Sequence, residues 1–265
     1  MDTNDVKQVA AGAGDHPALE NLARVGYLGS GVLHLLIGWL AFQVAWFEGS
    51  SGGSADQSGA LQTLSGNSVG KVLLWIAVIG FIALGLWQVT ELIVGRGKTS
   101  DRVKAGAKAV VYLFLGVSAF TYARSGGGGS SSSEQTVDFT AKLMAQPAGK
   151  ILVGAVGLAV VGVGVYHVFK GAQKKFLQDL RENPGQWVVR AGVFGYIAKG
   201  VALGIVGALF VLAAVRSQPE EARGLDGALR TLRDAPFGQF LLTLVALGFA
   251  CYAVYSFARS KYGRV

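Results

Sequence analysis

The amino-acid sequence predicts an all-α membrane protein whose six transmembrane helices form three parallel-repeat helical hairpins with pseudo-threefold symmetry. Two observations carry this expectation. Of 265 residues, 51% are hydrophobic and 15% charged, with 39 glycines, and the apolar residues collect in six long blocks instead of alternating with polar ones. One two-helix pattern also occurs three times. When Gly38, Gly116 and Gly207 are set beneath one another, followed by Gly70-Lys71, Gly149-Lys150 and Gly238-Gln239, the hydrophobic runs and loops fall into register. Repetition on this scale dictates architecture before activity.

The six blocks run approximately over Val25–Phe47, Val72–Val94, Ala105–Tyr122, Ile151–Phe169, Ala191–Val215 and Phe240–Ala258. Each reaches or approaches the roughly 20 residues that cross about 30 Å of hydrocarbon at about 1.5 Å per residue. The third is the least apolar at its start, where Lys104 and Lys108 stand, but long lysine stems can carry their ammonium groups toward the interface. Residues 1–22 form a polar tail with Asp2, Asp5 and Asp15, unlike the basic start of a cleaved signal, so the first block is expected to remain as an anchor. The repeats then occupy residues 23–98, 99–182 and 183–265.

Within the repeats, Gly49–Ser54 and Gly126–Ser133 read as flexible connectors. Leu61 and Leu64, Phe139 and Leu143, and Leu225, Leu229 and Leu232 then recur at helical spacing, which predicts a short amphipathic helix lying at the interface in each copy. Pro147 and Pro236, matched by Ser68, suit the turn into the next span.

Orientation follows from the basic residues of the loops. Arg96, Lys98, Arg102 and Lys104 follow the second span, and Lys170, Lys174, Lys175, Arg181 and Arg190 follow the fourth, so both segments are expected in the cytoplasm. Arg259, Lys261 and Arg264 end the chain, which places both termini inside. Arg216, Arg223, Arg230 and Arg233 run against this scheme, but helix parity puts their loop outside.

An even number of spans per copy makes the repeat parallel, around an axis along the membrane normal. Gly31 and Gly38, Ala109 and Gly116, and Gly200 and Gly207 occupy matching positions, a stripe of small residues along which helices can approach closely. Gly200 and Gly204 add a GxxxG, and Gly80, Gly85, Gly157, Gly162 and Gly164 are expected to act similarly on the other spans.

Net charge is +8, yet the basic residues cluster at the ends of apolar blocks and no basic, aromatic-bearing domain exists to read nucleic acid. Cys251 is the single cysteine, which rules out an intramolecular disulfide or a cysteine-ligated metal. No phosphate-binding glycine loop, HExxH or GxSxG occurs. The chain is therefore read as non-enzymatic, and no cofactor or metal is expected.

Candidate site residues lie where the copies differ. Ser30, Lys108 and Lys199 share one register, and Lys199 lies roughly 13 Å past its span's start, deep enough to need a partner or a wet cavity. Glu91 is the expected acidic partner; Lys170 and Arg259 align with it, which predicts a cluster of mixed charge around the axis. His34 aligns with Tyr112 and Leu203 and reads as a hydrogen-bonded packing histidine. Pairing His34 with His167 across a haem is disfavoured because the two differ in depth by about 10 Å. Trp87, Tyr166 and Tyr255 form an aromatic register that reads as interfacial anchors, as do Trp46, Phe47 and Trp187.

The chain resembles the integral-membrane proteins grouped as the domain of unknown function 1206, found chiefly in actinobacteria. The resemblance spans nearly everything from Arg24 to Arg259. It rests on Arg24-Val-Gly-Tyr-Leu-Gly-Ser-Gly and its echo over Gly192–Gly200, on Val111-Tyr112-Leu113, and on the Pro-x-Gly entries at Pro147 and Pro236. The first copy departs from it with Ser68 and His34. The resemblance implies a topology and a bacterial plasma membrane, and no activity or catalytic residue.

The leading functional expectation is a module that binds or passes a small solute, ion or anionic lipid near its axis, with Lys108, Lys199 and Glu91 as the principal binding residues and His34 and Tyr112 beside them. The alternative is a scaffold or accessory subunit using its glycine stripes to meet a protein partner or a second copy. A haem or lipid-linked enzyme ranks third. Either the axis is a packed glycine seam, or it is a wet cavity reaching Lys199.

Overall fold

The computed structural model describes residues 17–47, 55–66, 68–94, 99–125, 132–182 and 184–264. The polar tail before residue 17, the Gly49–Ser54 tract, most of the Gly126–Ser133 tract, and Arg96 and Lys98 lie outside these residues. Among the described residues nine α-helices follow one another: α1 (Pro17–Trp46), α2 (Gln57–Ser65), α3 (Ser68–Val94), α4 (Thr99–Ser125), α5 (Ser132–Met144), α6 (Gly149–Ala172), α7 (Gln186–Arg216), α8 (Gly224–Arg233) and α9 (Gly238–Tyr262). Short 3-10 turns occupy Lys175–Asp179 and Pro219–Glu221. Six of the helices, α1, α3, α4, α6, α7 and α9, are long and apolar enough to cross a membrane, and they coincide with the six expected blocks. The protein is a multi-pass helical membrane protein.

Glycine decides how these helices meet. A Cβ on Gly38 would press on Ala246 and Phe249 of α9, one on Gly116 on Phe81 and Ile82 of α3, and one on Gly207 on Gly157 and Val161 of α6. The three glycines share a register, so the first span of each copy packs on the second span of the copy before it, and the first copy meets the last. Those close seams, α1 on α9, α4 on α3 and α7 on α6, are the most extensive helix contacts in the molecule.

Within a hairpin the contacts are thinner and unequal. In the first copy Gly26 lies against Gly80 and Leu84, and α1 packs on α3; in the third, Gly195 lies against Tyr252 and Gly248 against Ala198, and α7 packs on α9. The middle copy carries Lys104 where the others have Gly26 and Gly195, and Ala159 where they have Gly80 and Gly248. A lysine cannot fill a space made for a hydrogen atom, and α4 and α6 form no comparable packing contact. The six long helices thus follow the order α4, α3, α1, α9, α7, α6. Lys108 on α4 still lies within electrostatic range of Lys170 on α6, so the row curls into a ring that is open between α4 and α6.

The two ends of the ring differ. At the cap end, Ile37, Leu40 and Ala41 of α1, Leu74 and Phe81 of α3, and Leu242, Val245 and Phe249 of α9 form one continuous apolar core. Leu61 and Leu64 of α2 and Leu229 of α8 are buried in it, so these two short helices plug the bundle instead of lying at the interface as expected. Their apolar stripes match the bundle's open end, which hides more surface than lipid contact would. Phe139 of α5 does stay exposed. Asp226 of α8 ties the cap together, accepting from the Ala55 amide at 2.7 Å and from Arg230 Nε at 2.9 Å. Arg216 pairs with Glu221 at 3.3 Å.

At the base, where α1 begins and α9 finishes, the chain end is tied to the turn after α6. The Arg181 amide donates to the Tyr262 carbonyl at 2.7 Å and the Arg264 amide to the Asp179 carbonyl at 2.9 Å. Arg24 Nη1 donates to the Lys261 carbonyl at 3.1 Å.

Candidate functional site

The base of the ring is polar where the cap is dry. Phe176, fully buried in the 3-10 turn, stacks on Tyr196 with centroids 5.2 Å apart and meets the edge of Tyr255 at 5.1 Å. The Tyr255 hydroxyl donates to the Phe176 carbonyl at 3.2 Å. Tyr255 is therefore a buried pillar and not the interfacial anchor its register suggested, because the turn folds back beneath it; Tyr166 of the same register is half exposed.

This aromatic floor holds Asp179 among cations. Lys170 Nζ lies 2.7 Å from Asp179 Oδ2, and Arg259 Nη1 lies 3.8 Å from the same oxygen. The Arg259 guanidinium stands 4.4 Å over the Tyr27 ring, and its Nε is buried with no hydrogen-bond partner. Lys108 reaches this group from α4, within electrostatic range of Arg259, Asp179 and Lys170, and makes no hydrogen bond or ion pair among the described residues. Tyr112, four residues along, stacks on Phe81 at 6.3 Å and lies within range of Tyr27 and Arg259.

Deeper in the ring, Lys199 of α7 reaches across to α1. Its Nζ stands 4.3 Å over the Tyr252 ring and 3.2 Å from His34 Nε2. His34 Nδ1 lies 2.7 Å from the Ser30 carbonyl oxygen, an acceptor only, so Nδ1 carries the proton and Nε2 accepts from the Lys199 ammonium. His34 is thus a hydrogen-bonded helix-packing histidine with both ring nitrogens engaged. His167 donates through Nδ1 to the Val163 carbonyl at 2.8 Å and stacks on Tyr196 at 5.8 Å. Among the described residues no three His, Cys, Asp or Glu side chains gather as a metal site would require.

Of the five candidates, Lys108 lies with the charged group at the base, and Tyr112, His34 and Lys199 lie deeper in the ring above it. Glu91 does not join them. It is exposed in the last turn of α3 and forms no ion pair among the described residues, while Lys170 and Arg259, its matches in the other copies, both turn to Asp179. The reason is positional: the turn after α6 folds back against the end of α9 and brings Asp179 to Lys170 and Arg259, whereas Glu91 stays exposed at the end of α3. Asp179 sits outside the repeat's helices, and its only signal in the sequence is an acid, with Glu182, amid Lys170, Lys174, Lys175 and Arg181. Tyr27 and Tyr196 are legible in the Gly-Tyr pairs, Gly26-Tyr27 and Gly195-Tyr196, shared by the entries of the first and third copies.

Chemically, Lys170 and Arg259 face the Asp179 carboxylate, with Lys108 within electrostatic range of it, while Lys199 stands deeper against His34 and the Tyr252 ring. The fold and this base define a multi-pass helical membrane protein with an excess of positive charge inside its ring. It belongs to the family described as Domain of Unknown Function (DUF1206), whose sequence model matches three tandem segments, residues 25–91, 103–174 and 194–263. The uncharacterized protein YxxB of Bacillus subtilis (strain 168) is 31% identical over 258 residues, covering 93% of this chain and 92% of its own. A Bacillus relative corrects the expectation of a mainly actinobacterial family. No solved structure matches the chain. The matching family carries no enzymatic designation.

Proposed function

We propose that this protein is a non-enzymatic module of the bacterial plasma membrane, with both termini cytoplasmic, that binds an anionic group at the base of its helix ring. One observation carries the reading: among the described residues Lys108 and Lys199 have no carboxylate within ion-pair distance, and Arg259 keeps a buried Nε without an acceptor. Uncompensated cations at membrane depth are costly and are usually matched by a counter-ion or ligand. A phosphate or carboxylate group at this place offsets that cost through charge-assisted hydrogen bonds. The filled apolar core at the cap supports binding over passage through the molecule. The alternative of a scaffold is less well supported, since Gly31, Gly38, Gly116, Gly200 and Gly207 are already spent on seams within the chain.

The test is calorimetric titration of delipidated, detergent-purified protein with inorganic phosphate and with glycerol 1-phosphate. Wild type binds at least one of them, Lys108→Gln binds more weakly, and Lys199→Leu loses binding while remaining monodisperse. Equal heats from all three proteins would refute the site.

A further inference from the structure

We infer that the anion bound at the base is the head group of a phospholipid that enters sideways between α4 and α6. This rests on the anion-site reading above and adds the chemical class of the ligand and its route. The opening is the first ground. Every other neighbouring pair in the ring is sealed by a glycine contact, and only the middle hairpin has Lys104 and Ala159 in the places that Gly26 with Gly80, and Gly195 with Gly248, occupy in the others. The opening is thus written into one copy of the repeat.

The walls of the opening are the second ground. On α4 one flank reads Lys104, Lys108, Val111, Leu115, Ser118 and Tyr122 at alternating spacings of three and four, so these residues form one stripe. Lys108 belongs to the cation group at the base, which fixes that stripe as the one turned toward the ring's interior. On α6 the corresponding flank runs from Lys170 and His167 through Val163 and Val156 to Leu152. Val111 is 55% exposed, Val163 47%, Val156 41% and Leu152 50%, on the same flanks as the exposed Lys108 and the partly buried Lys170. Each flank is cationic at the base and apolar above it. That polarity is the polarity of a lipid of the cytoplasmic leaflet, with its phosphate at Lys108, Lys170 and Arg259 and its acyl chains along the valines and leucines. An inorganic anion would gain nothing from the apolar upper half.

The test uses the full chain in nanodiscs containing phosphatidylglycerol or, for comparison, phosphatidylcholine, each with a photoreactive diazirine in one acyl chain, followed by mass-spectrometric mapping. Phosphatidylglycerol is expected to label Val111, Leu115, Val156 and Val163 several-fold more than phosphatidylcholine does. Lys108→Gln, at an exposed and unpaired position, lowers that preference by about tenfold or more, and Lys108→Arg restores it. Lys104→Gly with Ala159→Gly recreates the glycine pairing of the other hairpins and lowers labelling by narrowing the opening.

Equal labelling by both lipids, or labels confined to the outward Val110, Phe114, Leu158 and Val165, would overturn the inference. So would a stable dimer by light scattering with this flank unlabelled, since a second copy would then fill the gap. If glycerol 1-phosphate binds with its dependence on Lys108 intact while no lipid preference appears, the anion site stands and the lipid route falls. If neither soluble phosphate nor lipid binds, both fall.

Discussion

Gly200→Ala and Gly204→Ala separate packing geometry from motif. Both residues belong to one GxxxG on α7, and a motif reading treats them as equivalent. A Cβ built on Gly200 stands 2.6 Å from the Gly164 carbonyl oxygen and 2.7 Å from Val168 Cγ2, whereas one built on Gly204 meets nothing within 4 Å. Ordinary contact begins near 3.4 Å, so the seam between α6 and α7 must open locally by 3.4 − 2.6, or 0.8 Å, to admit the first methyl group. The obstacle is backbone, which cannot rotate away. Overpacking of this kind costs about 1–3 kcal/mol, partly offset by the gain of up to about 1 kcal/mol from replacing glycine by alanine in a helix.

Gly200→Ala is therefore expected to destabilise the protein by about 1–2 kcal/mol, and Gly204→Ala to be neutral or slightly stabilising. Gly162→Ala on α6, also with nothing within 4 Å, serves as a second control. The assay is equilibrium unfolding in mixed detergent and SDS micelles, followed by circular dichroism. Equal losses at Gly200 and Gly204, or an unperturbed Gly200→Ala, would show that the seam is not where stability resides.

Asp179→Asn removes the carboxylate that pairs with Lys170 and Arg259 and lies within range of Lys108, while leaving its backbone bond to Arg264. It is expected to lower stability in the absence of anions and to tighten phosphate binding in calorimetry; weaker binding would contradict the charge reading. In a Cys251→Ser background, a cysteine at Gln218 is expected to react with an impermeant maleimide from outside intact cells, and one at Lys174 only after lysis; the reverse pattern would invert the topology.

Much of the fold was readable because membrane physics leaves few choices. Six blocks of sufficient length fix six spans, and the shared register of Gly38, Gly116 and Gly207 points to close helix seams, though not to which helices they join. Leu61, Leu64 and Leu229 were read correctly as helical and misplaced, since a stripe of leucines does not say whether lipid or a bundle end will cover it. The site was half legible. Lys108, Lys199, His34 and Tyr112 stood out as charges or polar groups inside apolar helices, where each needs a reason. Asp179, Tyr252 and the true roles of Glu91 and Tyr255 were hidden because they depend on where one loop folds, and helical periodicity carries no information about that.

The departures from the repeat deserve the weight that the repeat itself first attracts. Gly26 and Gly195 bring two hairpins together, and the same register holds Lys104, paired with Asp101 at 3.2 Å, in the hairpin that lacks such a contact. Four residues further on, Ser30, Lys108 and Lys199 differ in the same sense, with cations in the copies that face the base cluster and a serine in the copy whose carbonyl holds His34. A tandem array of three identical hairpins would close into a sealed, glycine-lined bundle with no preferred site. Breaking one of its three internal contacts leaves α4 and α6 without a comparable seam, beside Lys108, which has no ion pair or hydrogen bond among the described residues.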